Sequence, residues 1–178
     1  MARARLLLVI ASLVLLPVQV RASEWGGIEP GVSLLEQVRE HYGNPSKETR
    51  AKLEGYDTVQ WTYEGNRAPA GLVRMTVDFG LLTPAGYKRF LVRLLKLEPK
   101  PLIFGRGTVV QGWGVPDGVA TGQDGQAIFF YKEGLLVLFD KEGDSALTMI
   151  FSPPQAESAA GAPADPAAPS APPASPRR

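Results

Sequence analysis

The 178-residue chain contains no cysteine. That absence excludes disulfides, thiolate metal sites and cysteine nucleophiles. It also excludes the lipid-bearing cysteine with which an exported lipoprotein begins. Histidine occurs once, at His41. Zinc usually draws several nitrogen or sulfur ligands, and one histidine without cysteine does not supply them. His41 stands beside Glu40 near the end of an expected helix, where a positive charge suits the helix dipole. A general base would need an orienting partner and a nucleophile within reach. The chain also lacks an excess of either charge. Three of its 19 Lys and Arg (Arg3, Arg5, Arg21) precede residue 22 and all 18 Asp and Glu follow it, so the remainder carries −2. No basic surplus points to nucleic acid. No pair of carboxylates is spaced convincingly for glycoside hydrolysis.

One long apolar run exists, over residues 6–16, preceded by Arg3 and Arg5. Pro17, Gln19 and Arg21 cut it short of the about 20 apolar residues that span a bilayer. Val20-Arg21-Ala22 then offers small residues for a signal peptidase, with Ser23 next. Residues 1–22 are therefore expected to be a signal peptide, and the protein to be exported, periplasmic or secreted. Association with the outer membrane stays open, but without a lipid anchor. Residues 153–178 are almost wholly Ala, Pro, Ser and Gly and close on Arg177-Arg178. They hold too little apolar surface to offset the entropy of ordering. A disordered Ala/Pro-rich tail is expected there, acting as a tether.

Between these ends the chain repeats itself. Ser33 and Glu36 have capping-box spacing, Leu34, Leu35, Val38 and Tyr42 share a helical face, and Gly43 and Pro45 end the helix. Thr108 and Gln111 repeat the box, Val109 and Val110 replace Leu34 and Leu35, and Trp113-Gly114-Val115-Pro116 echoes Tyr42-Gly43-Asn44-Pro45. The second helix is four residues shorter by this alignment, about one turn, and Gly112 weakens it. Three strands follow each helix. Val59, Trp61 and Tyr63 alternate in the first; Val73, Met75, Val77 and Phe79 form the apolar side of the second; residues 89–97 form the third. In the second half the strands are 127–132, 135–139 and 146–151, and the polar stretch from Asp140 to Asp144 reads as a hairpin turn rather than a calcium loop.

The expected fold is α+β: two repeats of a helix plus a three-stranded antiparallel sheet, over residues 23–101 and a shorter 102–152. The short second helix covers little, so the halves are expected to share a core or to join their sheets edge to edge.

The motifs Pro30-Gly31-Val32-Ser33, Gly43-Asn44-Pro45, Trp61-Thr62-Tyr63 and Val77-Asp78-Phe79 resemble those of the SmpA/OmlA family, which includes the BamE-like proteins. The resemblance covers about residues 28–97, with a fainter echo in the second half. Tandem copies of such a unit resemble the β-lactamase inhibitory proteins, which are secreted and act by binding another protein. The resemblance implies a cell-envelope role. The missing lipid-bearing cysteine, the second repeat and the tail depart from the family and weaken any direct place in β-barrel assembly.

The candidate interface residues are aromatic: Trp61, Tyr63, Trp113, Phe129, Phe130 and Tyr131; the alternative for most of them is the core, which is the default for Trp61 and Tyr63 because they share a strand face with Val59. Phe129 and Tyr131 must face one way along a strand and Phe130 the other, so one face of that strand presents an aromatic away from any helix. Arg89, Arg93 and Lys96 sit among apolar residues, either as charges that guard an exposed strand or as a basic ledge. No catalytic residue, cofactor site or metal site is expected. The expected function is an exported envelope protein-binding or scaffolding module with another envelope protein as partner. The alternatives are a structural envelope protein tethered by its tail and a hydrolase using scattered carboxylates. Export has a direct check: intact-mass measurement of the secreted product is expected to give a chain starting at Ser23.

Overall fold

The computed structural model describes residues 24–122 and 124–154. The expected signal peptide, and the tail beyond Pro154, lie outside the described residues. The element order is α1 (Leu35–Tyr42), β1 (Lys47–Leu53), β2 (Tyr56–Glu64), β3 (Leu72–Thr83), β4 (Gly86–Pro99), α2 (Arg106–Trp113), β5 (Gly118–Thr121), β6 (Ala127–Tyr131), β7 (Leu135–Phe139) and β8 (Ala146–Phe151), with a single 3-10 turn at Gly65–Arg67. Among the described residues, eight strands form one antiparallel sheet in the order β1-β2-β3-β4-β8-β7-β6-β5.

This corrects the expected fold class. The two repeats of a helix and a three-stranded sheet are replaced by one eight-stranded sheet with two eight-residue helices. Two strands were missed, and both are edges. β1 reads Lys-Glu-Thr-Arg-Ala-Lys-Leu and is exposed at every position. β5 is only Gly-Val-Ala-Thr. Neither buries a face, so neither carries the period-two hydrophobic pattern by which strands are found. The two meanders join through β4 and β8, where Leu95, Lys96 and Leu97 pair with Phe151, Ile150 and Met149.

Register aligns the apolar side chains of all the inner strands on one face. Trp61 pairs with Val77, which pairs with Leu95, which pairs with Phe151, which pairs with Leu135. Leu35 and Val38 of α1 and Val109 of α2 pack into the same core as these strand residues. We call this the helix face and the opposite side the open face. Bulges break the simple alternation. A register shift between Leu72 and Arg74 buries Leu72 and leaves Val73 51% exposed, against the expected set of Val73, Met75, Val77 and Phe79. A second shift beside Phe79 buries both Val92 and Leu95, three residues apart, and leaves Leu94 on the open face opposite Asp78.

The helix starts also differ from expectation. Ser33 does not cap α1. Its hydroxyl accepts the Glu29 N–H at 2.9 Å, and its carbonyl accepts the Val92 N–H at 2.9 Å. Residues 31–33 are thus pinned to β4, and the helix begins only beyond them. Leu34 occupies the cap position and is exposed, its N–H donating to Gln37 Oε1 at 2.7 Å. α2 begins after Gly105, before Thr108, and matches α1 in length. The missing turn inferred from the sequence alignment is made up at its N-terminus.

The helix ends repeat faithfully. Gly43 (φ 72°, ψ −158°) and Gly114 (φ 84°, ψ −172°) occupy a region that is essentially glycine-only. The Tyr63 hydroxyl donates to the Gly43 carbonyl at 3.1 Å, and the Tyr131 hydroxyl donates to the Gly114 carbonyl at 3.0 Å. In each half a strand tyrosine therefore satisfies a carbonyl just past the helix end. Burial pushes the Tyr63 hydroxyl from its ordinary 10.0 up to about 12. Because the folded value is raised, Tyr63 contributes stability that is complete below pH 10.0 and is lost as pH rises to about 12. Tyr63→Phe is expected to lose about 1 kcal/mol at neutral pH and to flatten that alkaline decline. Gly43→Ala is expected to cost about 1–3 kcal/mol. Urea titrations from neutral pH upward check both.

Candidate binding surface

The sheet has two unlike halves on its open face. Across β2, β3 and β4 the cross-strand pairs are Gln60 with Asp78, Thr62 with Thr76, Glu64 with Arg74, Thr76 with Lys96 and Arg74 with Glu98. These charges neutralise one another. Arg74 bridges Glu64 and Glu98 at 3.0 and 3.2 Å, Lys96 meets Glu98 at 2.9 Å, and Arg93 meets Asp78 at 3.1 Å. Partly exposed pairs of this kind each contribute at most about 1 kcal/mol. They make a solvated surface.

The polarity changes at the seam, where Lys96 of β4 pairs with Ile150 of β8. Beyond it Ile150 pairs with Leu136, Leu136 with Phe130, Leu138 with Ile128, and Ile128 with Ala120. Thr148, opposite Leu138, is the one polar side chain in that set. Ile128, Leu136, Leu138 and Ile150 are half-buried by one another, and Phe130 is 41% exposed. None of them belongs to the core on the helix face. Together these side chains form a contiguous apolar patch on the open face.

The two sheet edges are equally unlike. β1 carries Lys47, Glu48, Arg50 and Lys52, the charge pattern with which proteins block edge-to-edge pairing. β5 carries no charge. Val119 there is 65% exposed and Val115 just before it 81%. Asp117, at the start of this edge, is engaged by Lys132, whose backbone N–H donates to its carboxylate at 3.0 Å and whose ammonium lies 3.7 Å away. The apolar patch and the unguarded edge are contiguous through Ala120, Gly118 and Phe130.

The candidate aromatics separate accordingly. Trp61 and Tyr63 are withdrawn as interface residues: both are wholly buried on the helix face, Trp61 edge-on to Phe79 at 5.0 Å and Tyr63 against Tyr42 at 6.1 Å. Phe129 and Tyr131 are buried there too, Phe129 against Phe139 at 4.8 Å. Burial, with Asp117 adding to it, raises the Tyr131 hydroxyl above its ordinary range. Trp113 is half-buried between Phe104 and Phe151, 6.0 Å from each. Phe130 alone of the six faces out from the open side. Pattern reasoning missed Ile128, Leu136, Leu138 and Ile150. The signal was present: residues 135–139 are apolar at every position, which means that both faces of β7 meet apolar surroundings.

The basic ledge does not form. Arg93 and Lys96 are paired on the open face, whereas Arg89 lines a recess on the helix face with Arg39 and Arg50. In that recess the Trp61 indole N–H donates to Glu48 at 2.9 Å. That bond, then Arg50, holds the Glu48 carboxyl below the usual carboxylate range. His41 is exposed at the end of α1 with its ring 4.7 Å from Tyr42. Asp140 and Asp144 close the β7–β8 turn, the Asp144 N–H donating to Asp140 Oδ1 at 2.8 Å. Two adjacent phenylalanines distinguish core from surface. Phe129→Ala is expected to cost about 3–5 kcal/mol, and Phe130→Ala a small fraction of that, with a reduced binding of hydrophobic dyes. Chemical denaturation and dye fluorescence check the pair.

No family model matches the chain, and no curated protein matches it. Among solved structures, the chain is similar to the DUF4309 family protein YjgB from Bacillus subtilis, at 9% identity and a TM-score of 0.43, over 71% of this chain and 82% of that one.

Proposed function

We propose that the folded part of this protein is an exported, non-enzymatic protein-binding module of the cell envelope. It takes an extended segment of a partner protein onto the β5 edge. The single observation that carries this reading is the contrast between the two edges of one sheet. β1 has four charged residues in seven, and β5 has none in four. An exposed strand edge offers a row of backbone donors and acceptors to any extended chain, and proteins ordinarily block it. Here one edge is blocked and the other is left bare beside an apolar face.

The partner follows from that chemistry. Backbone hydrogen bonds supply affinity in strand addition, and alternate side chains supply specificity. A ninth strand beside β5 would place alternate side chains on the open face, next to Ala120, Ile128 and Phe130. An uncharged segment whose alternate residues are apolar fits that line. The apolar N-terminal run supports the export part of the reading, and the resemblance to the SmpA/OmlA family supports the envelope part.

A photo-crosslinking amino acid at residue 120, in the full chain made in its native cell, tests the reading. A heterologous adduct is expected from residue 120 and none from residue 49 on β1. The adduct is expected to disappear in Phe130→Glu, which keeps the fold but charges the patch. Equal adducts from both edges, or an adduct of twice the protein's own mass, would overturn the reading in favour of non-specific contact or self-association.

A further inference from the structure

Apart from the strand edge, and independently of it, we propose that the recess between α1, β1, β2 and β4 is a binding site for a monoanionic ligand that carries a carboxylate on an apolar body. The recess holds about 300 Å³, the lower end of the range for small-molecule sites. Three arginines line it from three separate elements: Arg39 from α1, Arg50 from β1 and Arg89 from β4.

These three arginines are not equivalent. Arg50 is already engaged, its guanidinium lying 2.9 Å from Glu48. Glu48 is engaged twice, since Trp61 donates to its other oxygen at 2.9 Å. Arg39 lies over the Trp61 ring at 5.0 Å, and Arg89 lies over Phe90 at 5.4 Å. Neither makes an ion pair among the described residues. A guanidinium stacked on an aromatic ring is held in place, and its N–H donors stay available at the edge of the plane. Two such groups at one recess present the forked donors that a carboxylate accepts.

Charge and wall composition narrow the ligand. Against the three arginines stand two carboxylates, Glu36 and Glu48, which leaves a single positive surplus. One surplus charge suits a monoanion and disfavours a dianionic phosphate, which the two carboxylates would repel. Leu35, Val59 and Phe90 supply apolar wall for a hydrocarbon or aromatic group attached to the carboxylate. Both a free organic acid and the C-terminal residue of a polypeptide have that chemistry.

Calorimetric titration of the mature full chain at low ionic strength tests the proposal. The probes are N-acetylphenylalanine, its amide, a tetrapeptide ending in phenylalanine, and inorganic phosphate. The acid is expected to bind at least tenfold more tightly than the amide and more tightly than phosphate. Arg39→Gln and Arg89→Gln are each expected to weaken it at least tenfold. Arg74→Gln, which removes one positive charge from the open face, is expected to leave it unchanged. Arg39 and Arg89 are both exposed, and a thermal melt confirms that their variants fold. A tetrapeptide that binds more tightly than the single residue assigns the site to polypeptide C-termini; equal affinity assigns it to free acids. Equal binding of acid and amide, tighter binding of phosphate, unchanged affinity in both recess variants, or no binding of any probe would overturn the proposal.

Discussion

Everything outward-facing in this protein follows from three residue pairs at the centre of the sheet. Leu95, Lys96 and Leu97 of β4 meet Phe151, Ile150 and Met149 of β8. That short antiparallel contact fuses two meanders into one sheet, so side-chain parity in one half dictates parity in the other. Leu95 and Leu97 face the helices together with Phe151 and Met149, and one apolar layer runs across the seam. A slip of one residue would turn the core of one half toward water. Because the last strands of the two meanders meet in the middle, their first strands are left at the outside. β1 and β5 are edges for that reason alone.

The two halves are held in like manner and differ on their surfaces. Each helix ends on a glycine in a conformation closed to other residues, and each such glycine presents its carbonyl to a buried strand tyrosine. These ties set the helix at a fixed height over its strands. Everything not needed for that arrangement differs. One open-face half is a self-neutralising lattice of Arg74, Glu64, Glu98 and Lys96, and the other is Ile, Leu and Phe. One edge is charged and the other is bare.

The recess over Trp61 belongs to the solvated half, and its arginines come from residues far apart in the chain. Arg39 stands near the end of a helix, Arg50 on an edge strand and Arg89 beside a bulge, yet they line one cavity. The strand-edge surface and this recess lie on opposite faces of the sheet, so occupation of one leaves the other accessible.

Much of the local structure was legible from the sequence. The glycine helix ends, six of the eight strands, and the opposed directions of Phe129 and Phe130 follow from period and from turn chemistry, which act over a few residues. The mixed α+β repeat was misjudged because β1 and β5 bury nothing and so leave no pattern to read. The Ser33 cap was misread because the backbone of that residue is claimed by Val92, far along the chain. Trp61 and Tyr63 proved to be core rather than interface for a similar reason. Trp61 and Tyr63 share their face with a helix, and no local rule says which side of a strand a helix will cover. The sequence by itself determined the absence of cysteine chemistry, the apolar N-terminal run and the alternation within each inner strand, since these depend on residue identity and near neighbours. Only the tertiary structure decided which strands are edges, which face is left open and which arginines meet, because those depend on pairings between segments that the chain separates.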